Sequence, residues 1–273
     1  MTPGRKAEAR ALVRKAIDQD IPQNVKERAV RINSVGSGLA LDDLQEVLKS
    51  PNLTTVVAPK TESASDLTFI KDVIEHSRPK EHTGPISVIA LVESAKSLMD
   101  LDSICKAAPG LLSGITFAAE DFALDLSLTR TPSMKEFLFA RSAIVTAARA
   151  HNLPSTIDLV ATAYKSEADQ ERLVDECEDG QRMGFNGKQC IHPSQVTTVD
   201  KIFSPSAKEV EWAVRISIAQ KKAEEQGRGA WSLDGKMIDK PVEGKAEAIV
   251  AKARLCEFDV DGLMSKHKDQ EPE

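Results

Sequence analysis

The chain is poor in aromatic residues, which make up 4% of its 273 positions, and no basic stripe with interleaved rings runs along it. With a formal charge of -6, it lacks the means to bind nucleic acid by neutralising phosphates. Cysteines are few and scattered. Cys105, Cys177, Cys190 and Cys256 form no CxxC pair and no Cys/His cluster, which argues against a zinc site and a disulfide framework. They read as reduced, intracellular thiols. No stretch approaches the roughly 18 apolar residues of a membrane span, so a soluble protein without a membrane partner is expected. Low-complexity linkers, charge blocks and short-period repeats are also lacking. The basic opening "MTPGRKAEARALVRKAI" has the composition of an amphipathic leader, but Glu8 and the lack of a serine-rich flank favour an ordinary helix.

What is present is a change of period. Short apolar runs alternate with longer amphipathic stretches, the pattern of consecutive βα units on a parallel sheet. Strands are expected at 29–33, 54–59, 86–92, 112–118, 155–160 and 188–191. Helices are expected near 40–49, 63–77, 94–107, 133–151 and 166–182. An eight-unit barrel takes about 250 residues, yet only six strands precede residue 205, so two units are missing from the count. Beyond that point a serine-capped long helix, an extended turn-bearing segment at "AWSLDGKMIDKP" and a closing helix near 242–256 form a C-terminal helical extension. The expected division is a barrel domain over 1–205 and an extension over 206–273 with a frayed tail.

In parallel α/β folds chemistry gathers at the carboxyl edge of the sheet. Glu93 ends the apolar run "VIALVE", and Glu120 and Asp121 follow the next strand, so neighbouring strands direct two acids into one mouth. Two carboxylates with no histidine or cysteine close by in sequence suit a hard cation such as Mg²⁺. The plainer alternative is that each acid caps the following helix or pairs with a nearby base. Arg31 within "VRIN" and Lys60 after "VVAP" add cations, either to orient a substrate carboxylate or to satisfy a rim acid. The planar fork of Arg31 is the better carboxylate clamp. Asp158 in "TIDLV" is a buried hydrogen-bonding acid or a pocket residue, and His192 beside Pro193 is read as structural.

The ordered motifs "VRIN", "APKTES", "ALVES", "FAAEDFALDLSLTR", "TIDLV", "GFNGKQCIHPSQ", "IFSPSAKEVEWA" and "LDGKMIDKP" resemble the citrate lyase beta subunit-like proteins. That group includes the citramalyl-CoA and malyl-CoA lyases of the HpcH/HpaI aldolase superfamily. The resemblance implies a TIM-type (β/α)8 barrel with a C-terminal helical extension, Mg²⁺ as cofactor, and assembly as homo-trimers or larger homo-oligomers. It implies cleavage or formation of a C–C bond between an acyl-CoA and a 2-oxo acid. By motif, Glu93 and Asp121 correspond to metal carboxylates; Arg31, Lys60 and Glu93 are the expected substrate contacts. Arg31 also corresponds to the enolate-stabilising arginine, and Asp239 to an acid that handles the acyl-CoA proton at an adjoining subunit's site.

Family members begin with strands like "LFVPG" and "DLEDAV", and neither motif is found, in agreement with the unit count. An α/β barrel lacking its first two βα units is therefore expected, with exposed edges on the "VRIN" and "KQCI" strands. Three functions compete: a Mg²⁺-dependent lyase on a thioester such as citramalyl-CoA or malyl-CoA, a CoA-independent aldolase of hydroxy-oxo acids, and a non-catalytic paralogue or subunit. The "GKMID" segment favours the first. The expected location is cytoplasmic or the mitochondrial matrix.

Overall fold

Runs rich in valine, isoleucine and leucine form the strands, and serine-opened amphipathic stretches form most of the helices between them. The computed structural model describes residues 3–20, 25–82 and 84–273. Two units are defined, Met1–Val196 and Thr197–Glu273.

In the first unit α1 (Lys6–Ile17) precedes β1 (Ala29–Arg31), α2 (Ala40–Val47), β2 (Thr55–Ala58), α3 (Ala64–Ser77) and β3 (Ser87–Val92). Two short helices follow, α4 (Ala95–Met99) and α5 (Leu101–Ala107), then β4 (Leu112–Phe117) and α6 (Ala119–Asp125). The unit continues through α7 (Leu138–Ala150), β5 (Ser155–Asp158), α8 (Glu167–Met183) and β6 (Gly187–Lys188). Helix α9 (Pro193–Phe203) spans the division between the units.

The six strands lie in sequence order and every pairing is parallel. β3 and β4 at the centre are buried along nearly their whole length, as parallel strands covered on both faces must be. Phe117 at the end of β4 meets Phe122 and Phe137 edge to face, with ring centroids 5.3 and 5.6 Å apart. Gly114 lets β4 and β5 approach, since a side chain there would sit 2.6 Å from the Ser155 Cβ. Among the described residues β1 pairs only with β2 and β6 only with β5.

Several expected elements are altered. The strand expected over 188–191 stops at Lys188, because the N–H groups of Ile191 and His192 both turn to the Gln195 side chain at 2.9 and 3.3 Å. The helix expected over 94–107 breaks at Asp100, whose φ of -107° and ψ of 16° are not helical. That expected over 133–151 is preceded by a 3₁₀ turn entered through Met134 in the left-handed region, φ 50°. The short α6 escaped the pattern reading because seven residues give too few turns for a period to show.

The second unit contains α10 (Ala207–Glu225), the antiparallel pair β7 (Trp231–Leu233) and β8 (Lys236–Ile238), α11 (Lys240–Leu255) and α12 (Val260–Lys266). Ser206 opens α10 with a capping box to Glu209. Ala213, Ala219, Ala223 and Ala246 let helices and hairpin close over Trp231, Leu233 and Ile238. The tail expected to fray is tied down: Glu273 exchanges two backbone hydrogen bonds with Ser232, both 3.0 Å. None of the helices among the described residues is long and apolar enough to cross a membrane.

Candidate active site

β3 ends at Val92, so Glu93 is the first residue beyond it at the carboxyl edge of the sheet. Ser94 then opens α4, its hydroxyl accepting from the Ser97 N–H while the Ser97 hydroxyl accepts from the Ser94 N–H, each at 3.1 Å. Serines thus make the cap, and the simplest structural duty for Glu93 is already filled. The glutamate is only 6% exposed. Burial and then the charge of Asp121 push its carboxyl above the usual range, against the pull of the Lys60 N–H, the Lys60 ammonium and Arg31.

Beyond β4, α6 carries Glu120 and Asp121 in its first turn. The two part company. Glu120 accepts from Arg130 Nη1 at 2.5 Å, whereas Asp121 accepts from Lys60 Nζ at 3.0 Å and shares a cavity with Glu93. Asp121 is therefore the acid that joins Glu93. Lys60 follows β2 in the left-handed region, φ 48°, a conformation uncommon for a residue with a side chain and one that concentrates at functional sites. From there its N–H reaches Glu93 and its ammonium reaches Asp121, which raises the lysine's own pKa. The pairing realises the rim-satisfying alternative left open for Lys60.

The cavity measures about 580 Å³ and also includes Arg31 at the end of β1. Arg31 is exposed and forms no ion pair with a described residue, but its field reaches Glu93. Sequence reasoning missed a further wall. Lys6 and Arg10, four residues apart on one face of α1, line the same cavity with Asn33 and Asp43. Arg10 Nε donates to Asp43 Oδ1 at 2.7 Å, and Asn33 donates to Asp43 Oδ2 from its backbone N–H at 2.7 Å and its amide at 2.5 Å. Lys6 Nζ donates to Asn33 Oδ1 at 2.5 Å. The spacing of Lys6 and Arg10 was the available signal, but a basic helix face usually means solvent.

Asp239 belongs to the second unit, where Oδ1 accepts from the Val242 N–H at 3.2 Å and caps α11. Asp158 is a fully buried acid bound in two-pronged fashion by Arg141 at 3.1 and 2.7 Å. This decides between its two readings in favour of the hydrogen-bonding one. His192 stacks on Tyr164, with ring centroids 4.2 Å apart, and accepts from the Ser194 N–H through Nδ1.

Among the described residues no three or more of histidine, cysteine, aspartate and glutamate gather in metal-binding fashion. Two mutually repelling carboxylates, one of them buried, nonetheless supply the hard oxygen donors that a small divalent cation takes while keeping positions for water and substrate.

A sequential parallel α/β sheet with acids and cations converging at its carboxyl edge defines a barrel-type enzyme architecture. The chain belongs to the HpcH/HpaI aldolase/citrate lyase family, whose model matches residues 1–193. It is 35% identical to human mitochondrial citramalyl-CoA lyase over 258 residues, covering 91% of this chain and 74% of the relative. It is 34% identical to the citrate lyase beta subunit of Haemophilus influenzae, covering 91% and 84%. The structure of the Mycobacterium tuberculosis CitE protein with magnesium, acetoacetate and coenzyme A superposes with a TM-score of 0.67 at 30% identity, covering 93% of this chain and 86% of that one.

Proposed function

We propose that the chain is a magnesium-dependent carbon–carbon lyase acting on a hydroxyacyl-CoA such as citramalyl-CoA or malyl-CoA, releasing acetyl-CoA and a 2-oxo acid or running in reverse. The carrying observation is the convergence of buried Glu93 with Asp121 and Arg31 on one cavity. Family membership and the resemblance to lyases of CoA thioesters support the reaction class.

Glu93 and Asp121 would hold the metal, which when bound supplies Lewis-acid polarisation of the substrate's hydroxyl and carboxylate oxygens. Arg31 holds the substrate carboxylate and lowers the energy of negative charge as it builds on the thioester side of the breaking bond. Lys60, already beside Asp121, holds that acid in place and adds positive charge at the substrate end of the cavity. In cleavage the substrate hydroxyl gives its proton to solvent as the C–C bond breaks and the carbonyl forms. Asp239, presented by an adjoining copy in a homo-oligomer, gives its proton to the thioester carbon, and condensation reverses both transfers. The reading of the sheet as a (β/α)8 barrel short of its first two units is part of the same proposal. Its support is the six strands in sequential parallel order with one-sided pairing at β1 and β6.

The test is direct: purified protein with magnesium and citramalyl-CoA or malyl-CoA, followed by release of pyruvate or glyoxylate. Turnover that falls together in Glu93→Ala and Asp121→Ala, and separately in Asp239→Asn, is the expected outcome. Absence of turnover in folded, magnesium-binding protein would falsify the proposal.

A further inference from the structure

Helix α6 sets its two acids apart by construction. Neighbouring positions on a helix point about 100° from each other, so Glu120 and Asp121 cannot both face one cavity. Ala118, at the capping position, has no side-chain acceptor to fix the first turn. Ala119, Phe122 and Ala123 bury one face, but apolar packing has no direction, and two of the three are alanines. A carboxylate that is to hold a metal ion must be kept within a fraction of an ångström of its place. For Asp121 that aim has to come from polar contacts made by the rest of α6.

Two contacts supply it. At the far end Asp125 accepts from the Ala95 N–H at 2.8 Å, which ties α6 to the start of α4, two residues after Glu93. At the near end the tie is Arg130. Its Nη1 donates to Glu120 Oε1 at 2.5 Å, while Nη2 donates to the Val160 carbonyl and to Glu176 Oε1, both at 3.0 Å. The guanidinium is thus anchored by the chain beyond β5 and by a buried acid of α8, and its remaining arm grips α6. Three acceptors on three segments suit a planar fork of fixed donors, which a lysine cannot reproduce. As a stabilising pair the last arm is weak, because the Glu120 side chain is 52% exposed. Its effect is one of direction.

Resting on the reading of Glu93 and Asp121 as metal carboxylates, we infer that Arg130 is a positioning residue: acting through Glu120, it fixes the first turn of α6 so that Asp121 meets the cation at the cavity. Arg130 itself is not among the residues lining that cavity. The anchor runs deeper than the arginine. Glu176 also pairs with Lys188 of β6 at 3.0 Å, so the chain at the ends of β5 and β6 bears on an acid that follows β4.

Calorimetric titration of the full chain with Mg²⁺, paired with urea unfolding, is the test. Glu120→Ala cuts the arm and leaves the anchor, so it should weaken Mg²⁺ binding about tenfold with the unfolding midpoint unmoved. Glu120→Gln removes the charge but keeps an oxygen for Nη1, and should retain most of the wild-type affinity, which separates direction from electrostatics. Arg130→Met also strips Glu176 of a partner and should lower the midpoint. Its Mg²⁺ affinity should fall at least as far as that of Glu120→Ala, and combining the two changes should weaken binding no further, because both act through one contact. Unchanged Mg²⁺ affinity in folded Glu120→Ala, an equal loss in Glu120→Gln, or additive losses in the double variant each overturns the inference. So does a wild-type chain that takes up no Mg²⁺. The readout is binding and not turnover, so the lyase reading fails separately, by absent turnover in protein that binds Mg²⁺.

Discussion

The carboxyl edge of this one sheet carries charge in two styles. Beyond β3 and β4, Glu93 and Asp121 face a cavity with incomplete compensation. Beyond β5 and β6 the charges are closed off: Arg141 grips Asp158 and reaches Asp179 at 2.6 Å, while Lys188, almost wholly buried, lies 3.0 Å from Glu176 as an ion pair whose angles fall short of a hydrogen bond. Arg130 completes that second network by joining Glu176 to Glu120. A charged residue at a strand end is therefore not a site in itself. What separates the halves is whether the protein supplies the partner or leaves that to a ligand.

The sharpest way to break the comparison is to open the closed half. Arg141→Met leaves fully buried Asp158 without its guanidinium and should lower unfolding free energy by about 3–5 kcal/mol, read by urea denaturation. A loss under ~1 kcal/mol would mean that this half is no more closed than the other. Next in size, Glu93→Gln should leave stability level or raised, since it removes a buried carboxyl whose ionised form is disfavoured. It should nonetheless reduce lyase turnover by about 100-fold or more. A parallel loss of stability and activity there would erase the distinction.

Asp43 sharpens the comparison within the open half. Burial works to raise its carboxyl, but the bonds from Arg10 and Asn33 prevail and hold it below the usual aspartate range. A depressed folded-state pKa contributes stability above the ordinary carboxylate value, and that contribution is lost as pH falls through the folded value. Asp43→Asn should therefore destabilise by about 1–2 kcal/mol at neutral pH, with the difference from wild type shrinking in acid. Thermal melts at neutral and acidic pH check the sign. The smallest effect is expected from Lys60→Met. Its pair with Asp121 is roughly half exposed on both sides and should contribute ~0–1 kcal/mol to stability.

The sequence was most legible where one strand succeeds another. Six parallel strands, the serine-capped α10 and the strand-end position of Glu93 all come from periodicity and punctuation, which are local properties. The choice between Glu120 and Asp121 was not local, because it depends on Arg130 and Lys60 arriving from other loops. Asp158 stayed ambiguous for the same reason, its partner Arg141 being 17 residues away on α7. Lys6 and Arg10 offered only their four-residue spacing, since a helix turn with two cations looks the same whether it faces water or a cavity. Gln195 ending β6 is a side chain imitating backbone, and no propensity scale anticipates it.

Strand β1 is three residues long, hydrogen-bonded along one side among the described residues, and its last residue is Arg31. The guanidinium to which we assign the substrate carboxylate is thus mounted on a border strand held by β2, and two residues further along Asn33 accepts from Lys6 of α1. A substitution on α1 that would be classed as peripheral is therefore expected to loosen the segment just beyond that arginine before it disturbs the acids.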